Sequence, residues 1–332
     1  MGGCVVDNAG RTLCGQTDRT NLYPGTTVAI NPLGALNPNF GQLRAWRNVN
    51  NSSYNSLQAT LKKKTVHGLA FNVSYTYSHS IDNGSAWHNS ATTGNGAGAG
   101  DGYSTDFTQP ALDRGNSTFD IRHRLVANYI YELPIGRNAS GVLGAVAKGW
   151  QWNGILSFQT GAHWEPFRSS AANLRVIGGT ARCTAADVNA GNCENRGGDY
   201  NLDNTPNDRP NSNMVNFSPS RAQWADGWDN AAGPTPPEFT SPCLGCTGNL
   251  GRNTFTGPNF YNVDMSLFKN FTITERVGLQ FRTEAFNLLN NVNFKLPGAN
   301  FAGQNRINSG AFGAAAGAFD PRVLQFGLKL SF

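Results

Sequence analysis

The sequence predicts an all-β protein: a partial antiparallel transmembrane β-barrel of about seven strands, carrying long extracellular loops. Three observations predict it. The closing segment Arg322–Phe332 alternates strictly, with Leu324, Phe326, Leu328, Leu330 and Phe332 on one face and Val323, Gln325, Gly327, Lys329 and Ser331 on the other. Only 14% of the 332 residues are charged, against roughly 25% in soluble domains, and 39 glycines with abundant Asn, Ser and Thr fill the difference. Finally, connections between alternating segments are short at one end and long at the other, as in bacterial barrels with periplasmic turns and outer loops.

Residues 1–52 read as an extracellular loop region, with weak strand signals only at Thr26–Ile30 and Leu43–Trp46; residues 53–332 read as barrel. The first strand is Tyr54–Lys64, turning at Thr65–Gly68 into Leu69–Ser78, where Leu69, Phe71, Val73, Tyr75 and Tyr77 share a face and the residues between are small or polar. Next, Leu125, Ala127, Tyr129, Tyr131 and Leu133 oppose Arg124, Asn128 and Glu132. After a connection from Pro134 to Gly149, Trp152, Gly154, Leu156, Phe158 and Thr160 oppose Gln151, Asn153, Ser157 and Gln159.

In the C-terminal part, Tyr261, Val263, Met265 and Leu267 face away from Asn262, Asp264 and Ser266. A short connection, Asn270–Arg276, leads to Val277–Phe286, where Val277, Leu279, Phe281 and Ala285 oppose Gln280, Arg282 and Glu284. Each segment has about the ten residues that a tilted strand needs to cross the hydrocarbon. Sandwich strands average about five or six residues, so a soluble β-sandwich fits less well. Aromatics towards the segment ends, Trp150, Trp152, Tyr129, Tyr131, Tyr75, Tyr77 and Trp164, fit interfacial girdles.

An open sheet edge in lipid leaves backbone groups unsatisfied at several kcal/mol each, so an odd set of about seven strands requires further strands from elsewhere. No run approaches the roughly 18 apolar residues of a transmembrane helix, and Met1–Gly25 has neither a basic start nor an apolar core of a signal peptide. The expectation is a missing N-terminus or a truncated reading frame. The net charge of +5 is spread through loops and strand ends without a basic block, which argues against nucleic acid.

Six cysteines fall into three sequence-local pairs, Cys4 with Cys14, Cys183 with Cys193 and Cys243 with Cys246, in segments without strand pattern. An even count of loop cysteines suits an oxidising compartment and three small disulfides. Zinc at the Cys243–Cys246 CxxC is the alternative, weakened by the lack of a second CxxC or a nearby histidine pair.

Asp199, Asn201 and Asp203 have the D-x-N-x-D spacing of a calcium loop, with Asp208 as a further carboxylate. Asn204 stands where the turn glycine is expected and the twelfth position is not glutamate, which favours an Asx-rich turn. Calcium is the one cofactor this spacing suggests, and no other is implied. Asp264, Arg282, Glu284 and Glu132 face the lumen, where cross-strand pairing is the default and contact with a plug or passing solute is the alternative. His67, His79, His88, His123 and His163 lack ligand spacing, and no Ser-His-Asp order or P-loop appears, so no enzyme is expected. Gly94–Gly102 reads as a flexible loop tip.

The stretch Phe281-Arg-Thr-Glu-Ala-Phe-Asn-Leu-Leu-Asn-Asn-Val-Asn-Phe294, followed by a loop and a last strand ending at Phe332, resembles the C-terminus of TonB-dependent outer-membrane receptors, and within them the Oar-like group. Asn51–Gln58, Ser74–Ser80, Phe119–Arg124 and Asn207-Asp-Arg-Pro210 carry the same resemblance, which spans nearly Asn51 to Phe332. Gln325-x-Gly327-x-x-Leu330-x-Phe332 is similar to the signal read by the barrel-assembly machinery. The resemblance implies a barrel of about twenty-two strands of which this chain supplies about the last third. It also implies outer-membrane lipid as a partner, and coupling to the TonB system only through an N-terminal plug that the sequence does not contain. The expected function is that of the membrane-spanning wall and ligand-facing loops of such a receptor in the outer membrane of a Gram-negative-type bacterium. A structural or adhesive barrel without active transport is the alternative.

Overall fold

All seven alternating segments become strands of a single sheet in the computed structural model, which describes residues 4–6, 12–14, 50–85, 105, 109–166, 168, 174–184, 186–187, 190–198, 200, 208–214, 219–228, 238–243, 246–297, 306–307 and 309–332. The wall strands are β1 (Ser52–Val66), β2 (Leu69–Asp82), β3 (His123–Glu132), β4 (Trp150–Gln159), β5 (Phe260–Thr272), β6 (Gly278–Phe286) and β7 (Val323–Ser331). Each pairs antiparallel with its neighbour in sequence, so strand order equals chain order. The weak signals at Thr26–Ile30 and Leu43–Trp46, and the loop tip Gly94–Gly102, lie outside the described residues.

The ladders keep one register throughout. A single row, Lys63–Phe71–Tyr129–Gly154–Met265–Ala285–Leu324, crosses all seven strands. Directly opposed residues point to the same side of a sheet, so the apolar sets of all seven strands merge into one continuous face. The opposite face carries rows such as Ala70–Ile130–Asn153–Ser266–Glu284–Gln325, largely polar. The apolar face is exposed on the protein itself, with Leu328 72% accessible, as a face turned to lipid would be. Gly154 has a specific task in it: a Cβ there would sit 2.6 Å from the Tyr129 ring, which lies over the glycine and meets Trp152 edge-on at 5.3 Å.

At the short-turn end, β1 and β2 join through His67 and Gly68, with φ of 54° and 84°. Positive φ at both central residues makes the hairpin turn whose twist matches that of the strands. The β5–β6 turn closes through Ile273 and Thr274 N–H groups donating to the Val277 carbonyl. The β3–β4 connection contains a helix, α1 (Gly141–Ala147), which alternation could not announce.

The long connections are not featureless loops. Trp164, Trp224, Phe239, Leu250, Phe255, Ile307 and Phe312 form a buried cluster, with Met214, Trp228, Phe294 and Leu296 packed against it. This cap draws on the β4–β5 and β6–β7 connections together. Trp164 is therefore not a girdle residue: it is 4% exposed, against Phe255 at 5.5 Å and Phe312 at 6.0 Å. The cysteine segments also differ from expectation. Cys4–Val6 pairs with Thr12–Cys14, and Cys193–Asn195 pairs with Leu174–Val176, in three-residue ladders too short to show a period.

Among the described residues no strand pairs with the free edge of β1 or of β7, so the sheet is an open wall.

Candidate functional site

The long-loop end of β2 starts the site. Ser78, Ser80 and Asp82 alternate along one face of the strand and all are buried, because the outer connections fold down over them. Arg252, 2% exposed, reaches Asp82 from the β4–β5 connection: Nη1 donates to Oδ1 at 2.5 Å and to the Asp82 carbonyl at 2.9 Å, and Nη2 donates to Ser85 Oγ at 2.7 Å. Ser117 Oγ donates to Asp82 Oδ2 at 2.5 Å. Gly115 is required beside this pair, since a Cβ there would lie 2.4 Å from the Arg252 carbonyl oxygen.

A second buried arginine extends the network. Arg209 Nη2 donates to the Leu112 carbonyl at 2.7 Å and to Asp113 Oδ1 at 3.1 Å, and its Nε donates to the Leu250 carbonyl at 3.1 Å. Asp113 also accepts the Thr105 N–H at 2.9 Å and the Thr105 hydroxyl at 2.6 Å. Glu165 completes the group, 3.8 Å from Arg209 and accepting the Asn253 N–H at 3.3 Å. Burial pushes the Glu165 carboxyl up from its ordinary range, against the opposing pull of Arg209 and Arg252.

Asp120 forms a third node. It accepts the Ser80 N–H at 2.7 Å and lies 3.2 Å from both Arg122 and His163. Burial pushes the His163 imidazole down, and the Asp120 carboxylate opposes that shift. Buried charges of this kind persist only when paired and hydrogen-bonded. Their common effect is to fix the cap on the wall. Below the cap, a cleft of about 250 Å³ opens between Arg124, Val126, Ser157, Gln159, Phe260 and Phe319.

The four residues expected to face the lumen do lie on the polar face, but no ion pair joins them among the described residues. Asp264 instead accepts from Asn262 Nδ2 and from the Asn287 N–H, each at 2.8 Å, anchoring the β6 exit. Arg282 lays its guanidinium 4.8 Å over the Phe268 ring, with Gly327 as its other neighbour across the ladder. Glu284 stands opposite Ser266 and Gln325, and Glu132 opposite Gln151. Asp199, Asn201 and Asp203 lie outside the described residues. Among the described residues no group of three or more His, Cys, Asp or Glu could hold a metal ion.

With wall, cap and polar face in place, the decisive comparison is with known families: the model of an outer membrane beta barrel domain matches residues 6–325. The chain belongs to this outer membrane beta barrel domain family. No curated protein and no solved structure matches it. Membership places the barrel wall in the Gram-negative outer membrane and gives its apolar face to lipid.

Two disulfides, Cys183–Cys193 and Cys243–Cys246, clip the barrel's β4–β5 connection. Cys4 and Cys14 are Cα partners in their short ladder. At the other end of the chain, Gln325 and Gly327 stand on the polar face opposite Glu284 and Arg282, Leu330 stands on the lipid face opposite Leu279, and Phe332 is 97% exposed.

The buried network is what sequence reasoning missed. Apart from Asp82 at the end of β2, its arginines and aspartates lie in the long connections, where no period marks them. One signal was available: Asp120 and Arg122 in Phe119–Arg124, and Arg209 in Asn207–Pro210, belong to segments already singled out for their resemblance.

Proposed function

We propose that this chain forms the lipid-spanning wall and the ligand-facing outer loops of a TonB-dependent, Oar-like outer-membrane receptor. The observation that carries the reading is the buried Arg252–Asp82 and Arg209–Asp113 network, which fixes the long loops over the polar face as one preorganised ledge. A ligand arriving from outside meets a set surface there, and prior ordering lowers the cost of binding. The free edges of β1 and β7 support the reading as well, because strands in lipid must be continued until no backbone group is unpaired. The cleft under the cap has Arg124 on its wall, and in this reading a solute passes there from loops to lumen.

In this reading the terminal strand presents its free edge to the barrel-assembly machinery, which captures it by strand addition. Energy coupling then comes from the TonB system acting on a plug domain inside the closed barrel.

The test is the coding sequence immediately 5′ of Met1. An in-frame plug domain is the expected result. A stop codon followed by a signal-peptide start adjoining Met1 would sink the receptor and leave a barrel without active transport.

A further inference from the structure

The short-turn end holds an apolar surface that the wall does not account for. In α1, Val142 is 83%, Leu143 71% and Val146 57% exposed, and Ile135 just before the helix is exposed too. A periplasmic turn bathed in water gains nothing from such a cluster.

The position of α1 is fixed by Lys269. That residue stands on the lipid face of β5, between Leu267 and Phe271, opposite Trp150 on β4 and Phe281 on β6. Its ammonium donates to the Ala145 carbonyl at 2.7 Å and to the Lys148 carbonyl, and it lies 4.6 Å over the Phe271 ring and 5.7 Å over the Trp150 ring. Trp150 Nε1 donates to the Val146 carbonyl at 3.0 Å. Lys269 and Trp150 both belong to the lipid face, so the C-terminal end of α1 rests on the outside of the wall.

The hydrogen bonding points the same way. Last-turn carbonyls have no partner within their own helix, and water normally supplies one. Here Ala145 and Val146 receive side-chain donors from the wall, as a helix end needs where water is scarce. A cation at that end also matches the helix dipole. The apolar side chains of α1 are exposed beside the lipid-face residues Trp150 and Lys269 that hold its end, and the exposed Arg137 and Lys148 bracket them in sequence.

We propose that α1 is an interfacial helix seated in the phospholipid leaflet on the short-turn side. Val142, Leu143 and Val146 enter the upper acyl region, about 5–10 Å deep as for other such helices. Arg137 and Lys148 meet the headgroup phosphates. Lys269 pins the helix to the wall and so sets the depth at which β3 to β5 sit.

The experiment uses the full chain within the closed barrel that its free edges require, reconstituted into vesicles of phosphatidylethanolamine and phosphatidylglycerol. Leu143→Cys carries an environment-sensitive fluorophore, with Glu275→Cys in the β5–β6 turn as the aqueous reference; Val142→Cys gives an independent reading. The expected result is a blue-shifted emission at position 143, quenched by nitroxide lipids and protected from iodide relative to position 275. Iodide quenching equal to that at position 275 would overturn the proposal. Protection from both quenchers would overturn it too, because a protein partner would then cover the helix.

Discussion

Arg252 and Asp82 are 170 positions apart in the chain and 2.5 Å apart in space. The pair ties the end of a spanning strand to the last part of the long β4–β5 connection, with both side chains almost fully buried. The outer surface of the barrel therefore behaves as part of its wall.

Arg252→Ala should open the cap. Removing one partner of a buried ion pair typically costs about 3–5 kcal/mol, since the other charge is left without compensation. Amide exchange should accelerate at Ser117 and Gly251–Phe255 while the β3–β4 and β4–β5 ladders stay protected. Unchanged exchange in those loops would show that the aromatic cluster alone holds them.

Glu165→Gln should make cap stability less dependent on pH. Burial raises the folded-state carboxyl above its unfolded value, so the native state keeps a proton that the unfolded state releases. That favours folding below the unfolded value and is lost as pH rises through the folded one. The variant should therefore gain over the parent once pH rises above the unfolded carboxyl value and gain nothing below it. Limited proteolysis of the loops across the pH range reads the difference, and parallel curves would refute it.

Faces of the wall can be told apart with one charge. Phe326→Arg places a cation on the lipid face of β7 and should cost about 2–4 kcal/mol near mid-membrane. Gln325→Arg, one residue earlier and opposite Glu284, should change stability by less than about 0.5 kcal/mol, as surface substitutions usually do. Urea titration of both in vesicles decides, and equal penalties would contradict the assignment of faces.

Loss of the Cys183–Cys193 bond should loosen only its own ladder. The bond closes a separation of 10 residues, a constraint worth about 2–3 kcal/mol in the chain-entropy account. The double Ser variant should become cleavable within Leu174–Asn195 while near-ultraviolet signals from the Trp164 cluster persist. Global loss of those signals would mean that the clip supports the whole cap.

What the sequence makes legible is whatever repeats. Alternation located all seven strands to within a few residues and assigned their faces, because lipid on one side and water on the other impose a period of two on every spanning residue. The cap obeys no period: Trp164 and Phe255, 91 positions apart in one connection, meet Phe312 from another, so in sequence Trp164 reads as an interfacial aromatic at the end of β4. Arg252 and Asp82 were hidden by their 170-residue separation. Helix α1 stayed hidden because its seven residues include two glycines and no charge, a composition that marks neither a helix nor an interface until Lys269 is seen beneath it.

Because neighbouring wall strands are also neighbours in sequence, the wall can grow one hairpin at a time from either end, each step closing only the loop just made. The Arg252–Asp82 contact cannot join that march. It must wait until β3 and β4 are laid beside β2 and the chain beyond them has returned, so it closes after the wall strands on which it depends. A barrel stalled part-way would therefore expose Asp82 and an unsealed loop layer, and any protease that surveys the outer membrane would have a timer by which to recognise it.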